Sequence, residues 1–535
     1  MNINLLAVDD DNLGLFLLQE TLKPENIAVT TCTNANDAVR LLKSQKFDIA
    51  IIDVLMPGID GFSLRQLIRE FDKTLPIIYL TAMVDTLDSN LLEKIAEDKW
   101  TYYMKKPFVR ADLLKHIRNA VEARNVEAQT QKYYNDLEKG LTLAAEVQKL
   151  LLPDWVRIED NLMLSSLYEP QRKVSGDIFD LIKLNDQKYF LFIADIAGHG
   201  IQAALSMSAI QSVNRMLVAQ NGAGLRTHSI LNRLNEVFCT ELGNDNYMTC
   251  AVAILDFKIN RMEYYSAGHP SLLIYDPDTG KIHDFETDDA GGIPMGWDKD
   301  YVYGEDGVIY YDFKPDSIFF ALTDGIFEIR NPNDEMLGMD KLVELLENIL
   351  PQEKSVLAPY RIRAAIDQMG YSKPEDDICL LMLRQGRIQD QYEPFDIIRC
   401  IPPVFADVIA TSMDCEAMVT KYAAGFEKGI ETEFLLNEFL NNIIIHGLDN
   451  RQQARPAIFI RIRAEKERIV IQIMDKGKKW EYHPDARSAE EYFQEVNEKL
   501  AGSGRGMAII RSIATEITRN HYGGLNETVF VISLK

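Results

Sequence analysis

At 535 residues the chain is too long for one ordinary core, and its 47% hydrophobic and 26% charged residues describe a soluble globular protein of three or four domains. A formal charge of −24 excludes nucleic acid as a partner, because its phosphates would be repelled. The six cysteines form no Cys-x-x-Cys pair, so neither a zinc site nor a disulfide framework is indicated, and free thiols in a reducing cytoplasm are expected. The N-terminus, Met1 to Leu6, lacks the basic region of a signal peptide, and no apolar run approaches the roughly 18 residues a membrane span needs. A cytoplasmic protein without membrane contact is therefore expected.

Ile3–Val8, Ile27–Thr31, Ile49–Ile52, Pro76–Leu80 and Thr101–Met104 read as strands, with helical spacing between them at Leu13–Leu22 and Asp37–Leu42. Strand–helix alternation implies a parallel sheet with helices on both faces, whose ligands gather at the carboxyl ends of the strands. Asp9 and Asp10, Asp53, Thr81 and Lys106 all fall at such ends. Packed carboxylates call for a cation, and a lysine with a hydroxyl can hold a transferred phosphoryl group.

This constellation, with Met56-Pro57-Gly58-Ile59-Asp60-Gly61 and Lys106-Pro107-Phe108, resembles a response-regulator receiver domain over residues 1–120. The resemblance implies a flavodoxin-like fold in which Asp53 accepts a phosphoryl group from a histidine kinase or phosphotransfer protein. It also implies that Asp9, Asp10, Asp53 and the carbonyl of Leu55 surround Mg²⁺, with Thr81 and Tyr103 as the switch pair.

From 121 to 152 the chain stays polar and helical. Ile117, Val121, Tyr134, Leu137, Leu141, Ala144, Val147 and Leu151 fall mostly three or four apart, and no proline occurs between Phe108 and Pro153. A long amphipathic helix continuing the last receiver helix is expected. Its stripe either packs against neighbouring domains or pairs two copies as a homodimer.

Acidic motifs then recur beside apolar runs: Ser175-Gly176-Asp177, Asp195-Ile196-Ala197-Gly198-His199-Gly200, Thr323-Asp324-Gly325 and Glu375-Asp376-Asp377. A carboxylate just past a buried strand is held rigidly at the sheet edge, where hard cations can be gathered. In this order, and with Ser266-Ala267-Gly268-His269-Pro270, they resemble the PPM superfamily of serine/threonine phosphatases, in the SpoIIE and RsbU branch, over 153–386. The fold implied is an α-β-β-α sandwich of two antiparallel sheets. Asp195 would bridge two Mn²⁺ or Mg²⁺ ions, with the carbonyl of Ile196 and Asp177 on one, and Asp324 and Asp376 on the other. The segment Ala145–Pro153 resembles the helix that carries signals into related metal sites.

The last stretch, 396–535, begins with helical spacing from Glu433 to His446, in which Glu438 and Asn442 share a face. A strand from Arg468 to Met474 ends in Asp475-Lys476-Gly477, Gly502-Ser503-Gly504-Arg505-Gly506 precedes a helix, and Thr528 opens a last strand, Val529–Leu534. Glycines before a helix let backbone N–H groups approach phosphate. The order resembles the GHKL (Bergerat-type) α/β fold, in the RsbW and SpoIIAB branch of serine kinases. It implies Glu438 as general base, Asn442 as magnesium ligand, Asp475 on the adenine of ATP, and Gly477, Gly504, Gly506 and Thr528 around the nucleotide. Position 479 is lysine where that family often has glycine.

Together these readings describe a multidomain α/β regulator. Its phosphatase and kinase would act on one STAS-domain anti-sigma-factor antagonist under receiver control. The alternative makes the last domain a non-catalytic module that sequesters the antagonist or a sigma factor.

Overall fold

The computed structural model describes residues 3–81, 98–159, 162–198, 200–241, 247–285, 291–385, 395–421, 426–450, 455–465, 467–479 and 505–534. The chain divides into two compact units, Met1–Gly140 and Leu141–Lys535. Among the described residues no helix is long and apolar enough to cross a membrane.

The first unit alternates β1 (Ile3–Val8), α1 (Asn12–Leu22), β2 (Ile27–Cys32), α2 (Ala35–Ser44), β3 (Ile49–Asp53), α3 (Gly61–Arg69), β4 (Ile77–Thr81) and β5 (Thr101–Lys105). The strands are parallel in the order β2-β1-β3-β4-β5. Each of the first three helices starts at a side-chain cap: Asp11 accepts from Leu13 N, Asn34 from Asp37 N and Asp60 from Ser63 N. Apolar layers cover both faces of the sheet, as a buried parallel sheet requires: Leu5, Ala7, Ile51 and Ile78 on one, Leu6, Val8, Ile52 and Tyr79 on the other. The chain leaves this unit along α4 (Arg110–Leu151), a single helix of 42 residues. Leu113, Ile117 and Val121 anchor its start in the core of the first unit, whereas Val126, Tyr133, Tyr134 and Leu137 are exposed.

The second unit opens with β6 (Val156–Glu159), β7 (Leu162–Glu169), β8 (Ile178–Asn185), β9 (Lys188–Ile196), α5 (Ile201–Asn221) and α6 (Thr227–Glu241). It continues with β10 (Met248–Asp256), β11 (Arg261–Ala267), β12 (Leu273–Asp276), β13 (Lys281–Asp284), β14 (Ile309–Asp312), β15 (Ile318–Leu322), α7 (Met339–Ile349), α8 (Ala358–Gln368) and β16 (Ile378–Gln385). Two antiparallel sheets result, β14-β11-β10-β9-β8 and β13-β12-β15-β16-β7-β6. A core from both sheets, including Phe192, Val252, Leu164 and Leu381, lies between them. The other face of the second sheet buries Leu380 and Met382 with Leu342, Leu346 and Ile362 of α7 and α8.

The last stretch forms β17 (Asp396–Ile401), α9 (Phe405–Val419), α10 (Phe426–Asn442), β18 (Ile458–Glu465), β19 (Arg468–Asp475), α11 (Arg505–Ile513), β20 (Glu516–Tyr522) and β21 (Leu525–Ser533). Its antiparallel sheet has the order β17-β18-β19-β21-β20. Strand alternation sends Ile458, Ile460, Ile471 and Ile473 toward α9 and α10, while Phe459 and Met474 turn the other way. On that second face Ala457, Phe459, Met474 and Leu525 join the core of the preceding sandwich, beside Trp155, Leu167 and Tyr360.

Most boundaries shift by one or two residues, and two near the last cluster differ by more. Thr528 does not open the last strand: β21 starts at Leu525, because Gly523 and Gly524, at φ 46° and 78°, form the hairpin turn after β20. The helical stretch expected from Glu433 lies within α10, already helical at Phe426, and Ile443–Gly447 continues it as a π-helical turn.

Candidate functional site

Three clusters collect the chemically loaded residues. In the first unit, parallel strands deliver Asp9 and Asp53 to the same sheet edge, directly after β1 and at the end of β3. Carboxylate oxygens of Asp9, Asp10 and Asp53 lie within 4.8 Å of one another. Lys106 Nζ donates to Asp9 Oδ2 and to Asp53 Oδ1, both at 2.7 Å. Leu55 N donates to Asp53 Oδ2 at 3.0 Å. Burial raises the Asp53 carboxyl above its ordinary range, against the lowering pull of the lysine. Thr81 is buried at the end of β4, and Tyr103 stacks 5.3 Å from Tyr79 with its hydroxyl unpaired among the described residues. An acidic triad with one inserted cation and a nearby hydroxyl suits a divalent ion and a phosphoryl group.

In the second unit, antiparallel pairing brings together the ends of four strands. Asp177 precedes β8 and Asp195 lies in the last turn of pairing of β9, where Ile178 faces Ala194. Asp324 follows β15 and Asp376 precedes β16, where Leu322 faces Leu380. The carboxylates feel one another: Asp177 is raised by burial and by the charges of Asp195, Asp377 and Asp324. Burial, with Asp324, Asp376 and Asp377, pushes Asp195 up to about 7, and burial with Glu328 and Asp376 pushes Asp324 up to about 6. Acids crowded in one desolvated place are stabilised in their ionised form by cations among them. The donor set, all hard oxygen, fits Mg²⁺ or Mn²⁺.

Neighbours hold this cluster in shape. Thr323 Oγ1 donates to Asp177 Oδ2 at 2.8 Å. Asp377 accepts from Gln171 N at 2.7 Å and from Gly176 N at 2.9 Å, tying the Ser175-Gly176-Asp177 loop to the start of β16. Gly325 is required by close approach, since a Cβ there would lie 1.9 Å from the carbonyl oxygen of Asp377. From α4, buried Gln148 clamps the backbone of Ser175, donating to its carbonyl at 2.7 Å and accepting from its N–H at 3.1 Å. His269 is buried and neutral, its pKa pushed down to about 3 by desolvation, with Nδ1 2.9 Å from the hydroxyl of Thr249, the residue facing Asp195. The sequence reading missed Gln148, Thr323 and the bracing role of Asp377. The available signal was a glutamine inside the apolar stripe of α4, next to Val147 and three before Leu151. His199 lies outside the described residues.

The third cluster lies on the last sheet. Asp475, 2% exposed, ends β19, and its Oδ1 accepts from Gly477 N at 2.8 Å and Asn526 Nδ2 at 3.0 Å. Its Oδ2 is buried without a hydrogen-bond partner among the described residues. A buried carboxylate oxygen left unpaired is costly, so this atom marks a place for a ligand donor. Gly477 packs against Gly447: a Cβ on it would stand 2.7 Å from Asp475 Oδ1 and 3.0 Å from Gly447 Cα. Glu438 and Asn442 are half-buried one turn apart on α10, directly before the π-turn. Buried Thr528 faces Ile473 in the sheet and accepts from Arg519 at 2.9 Å. Gly506 is the second residue of α11, Gly504 lies outside the described residues, and Lys479 is exposed.

Comparison with known proteins meets these three clusters in order. Family models match residues 5–118 as a response regulator receiver domain, 185–386 as stage II sporulation protein E (SpoIIE), and 405–532 as a histidine kinase-like ATPase domain. Phosphoserine phosphatase RsbP of Bacillus subtilis is 25% identical over 199 residues, which is 37% of this chain and 47% of that protein. Phosphoserine phosphatase RsbU of Bacillus subtilis is 25% identical over 252 residues, 47% of this chain and 71% of that protein. The chain thus spans less than half the length of the first of these relatives. The crystal structure of RsbU and RsbW domains from Mycobacterium tuberculosis covers 71% of this chain and 96% of its own, at 17% identity and a TM-score of 0.37.

Proposed function

For a chain that joins a response-regulator receiver, a SpoIIE-type domain and a histidine kinase-like ATPase domain in that order, we propose a receiver-controlled, metal-dependent serine/threonine protein phosphatase. The observation that carries this reading is the crowding of Asp177, Asp195 and Asp324 at adjoining strand ends beside Asp376, where burial and neighbouring carboxylate charge raise the first three and so favour cations among them. Bound there, two divalent ions would supply an acidified water and positive charge for the phosphoryl oxygens. Asp195 would serve both ions, the Ile196 carbonyl and Asp177 would help hold one, and Asp324 and Asp376 would hold the other. Thr323, Asp377 and Gln148 keep the ligand loop in register. Hydrolysis exchanges the serine oxygen on phosphorus for that of water, and the protonated serine leaves. The relatives RsbP and RsbU are named phosphoserine phosphatases, which supports a phosphoserine substrate; the substrate we assign, on the family resemblance, is a phosphorylated STAS-domain anti-sigma-factor antagonist in a partner-switching pathway.

In the receiver, Asp53 takes a phosphoryl group from a histidine kinase or phosphotransfer protein. Lys106 and Thr81 would hold it, and Asp9, Asp10, Asp53 and the Leu55 carbonyl would hold a Mg²⁺ beside it. The exposed residues Val126, Tyr133 and Leu137 of α4 support pairing of two copies along that helix.

In the last domain the unpaired Asp475 Oδ2 suits the adenine amino group of ATP. Gly477, Gly504, Gly506 and Thr528 line the nucleotide, Asn442 serves its Mg²⁺, and Glu438 activates the antagonist hydroxyl for serine phosphorylation. Lys479, in a position where related kinases often have glycine, favours a second reading, in which this domain holds the antagonist or a sigma factor without phosphorylating it. Incubating the full-length protein with labelled ATP and candidate STAS proteins separates the two. Labelled antagonist is expected; tight binding with no label transfer establishes the second reading. Failure of Mn²⁺ to support release of phosphate from phosphoserine substrates would defeat the phosphatase assignment.

A further inference from the structure

The turn Asp475-Lys476-Gly477 places its outer residues at the nucleotide cluster and its middle residue against the neighbouring sandwich. Lys476 Nζ stands 4.5 Å from the centre of the Tyr360 ring, on α8. Asp154 and Glu169, also outside the last sheet, attract the same ammonium group. Burial lowers this ammonium to about 8 against the attraction of the two carboxylates, and the Tyr360 face beside it favours the charged form.

From Tyr360 direct contacts continue to the metal cluster. The ring is fully buried, and its hydroxyl donates to the Ser166 carbonyl of β7 at 2.6 Å. Farther along the same strand the Tyr168 hydroxyl reaches the Asp177 carbonyl at 3.5 Å. Just beyond the strand, Gln171 N donates to Asp377 at 2.7 Å, and Asp377 binds Gly176 N beside Asp177. The surrounding interface is tied as well as apolar. Trp155 Nε1 donates to the Ala457 carbonyl at 2.8 Å, and Ala457 N donates to Asp154 at 2.9 Å. Arg455 binds the Leu150 and Leu152 carbonyls at the end of α4. A junction whose groups are packed and hydrogen-bonded is one through which a shift of one side can reach the other.

We infer that Lys476 is a positioning residue that couples nucleotide occupancy at Asp475 to turnover at the carboxylate cluster, so that the phosphatase reads the nucleotide state of its own last domain. The inference rests on the assignments of phosphatase and nucleotide sites given above. An adenine donor filling Asp475 Oδ2 fixes the turn, and the turn carries the charge that faces Tyr360.

The test uses the full-length protein, p-nitrophenyl phosphate as substrate, constant free Mn²⁺, and the non-transferable nucleotide AMP-PNP. Saturating AMP-PNP should change kcat about fivefold, within the usual range of allosteric coupling. Lys476→Met should still bind AMP-PNP by calorimetry and keep its nucleotide-free turnover, yet lose the response. A response retained in Lys476→Met removes the role of that residue. If the variant fails to fold, the wild-type protein supplies the measurement: AMP-PNP must alter the inhibition constant of inorganic phosphate by the factor by which phosphate alters the Kd of AMP-PNP. Nucleotide binding with unchanged turnover and unchanged phosphate inhibition overturns the coupling alone. Absence of AMP-PNP binding overturns the nucleotide site as well, and absence of Mn²⁺-dependent hydrolysis overturns the phosphatase site.

Discussion

Asp195 lies at the end of a buried strand, facing Thr249, in the field of Asp324, Asp376 and Asp377. Asp195→Asn removes the charge assigned to both cations while keeping shape, so Mn²⁺-dependent kcat should fall at least about a hundredfold, roughly 3 kcal/mol of transition-state stabilisation. Circular dichroism should stay unchanged; wild-type turnover in the folded variant would refute the bridging role. The same residue predicts a pH effect in protein stripped of divalent cations. Its folded pKa is pushed up to about 7, whereas an unfolded aspartate titrates near 3.9, so over that window the folded chain binds the extra proton. Stability therefore falls as pH rises from about 4 through about 7. The Tm of stripped protein should be lower at about pH 7.5 than at about pH 5.5, and Mn²⁺ should raise it more at the higher pH. In the last domain, Glu438→Ala should retain nucleotide affinity and lose phosphotransfer, while Asn442→Ala should weaken Mg-ATP binding too. Calorimetry and mass spectrometry of the antagonist distinguish these, and equal loss of affinity in both variants would contradict the division of roles.

At the scale of elements, β18 shows how one strand serves two cores. Ile458, Ile460 and Ile462 face α9 and α10, whereas Phe459 is buried among residues of the sandwich. Phe459→Ala leaves a cavity where the two sheets meet and should cost about 3–5 kcal/mol. Urea unfolding of the full-length protein should show the loss in the transition of the second unit, with that of the receiver unmoved. A cost under about 1 kcal/mol would mean the shared core is dispensable. The long helix α4 was legible from its spacing and lack of proline, since 3.6-residue periodicity survives without tertiary context. Its two uses of one stripe were not: Ile117 and Val121 are buried in the receiver, while Tyr134 and Leu137 remain exposed.

For the whole molecule, the proposed control would pass from a phosphorylated Asp53 to hydrolysis in the second unit, and α4 is the covalent path between them. Beryllofluoride, which mimics the phosphoryl group, should draw on Lys106 and Thr81 and raise phosphoserine hydrolysis by the full-length protein. The expected change is several-fold, of the order of common allosteric couplings. No change in hydrolysis or in phosphotransfer would refute receiver control.

The three clusters were readable in the sequence because each ligand stands at the end of an apolar run, and the end of a run is a local property. Hydrophobic periodicity placed Asp53 after Ile49–Ile52, Asp324 after Ile318–Leu322 and Asp475 after Arg468–Met474, and the family resemblances supplied the roles expected of them. The parallel sheet followed from the alternation of strands and helices, whereas the antiparallel sandwich and the last α/β fold were implied by the family resemblances. What the linear pattern could not contain was the pairing of distant groups. Gln148 with Ser175, Thr323 with Asp177, and Lys476 with Tyr360 are joined only by the packing of elements far apart in sequence. The fused core of the last sheet and the sandwich was hidden for a related reason. Phe459 and Met474 read as ordinary strand residues, and alternation assigns them to a face without naming what covers it. Tertiary structure decided that cover, because burying apolar area on the open face of a sheet is favourable wherever a complementary surface of the same chain can reach it.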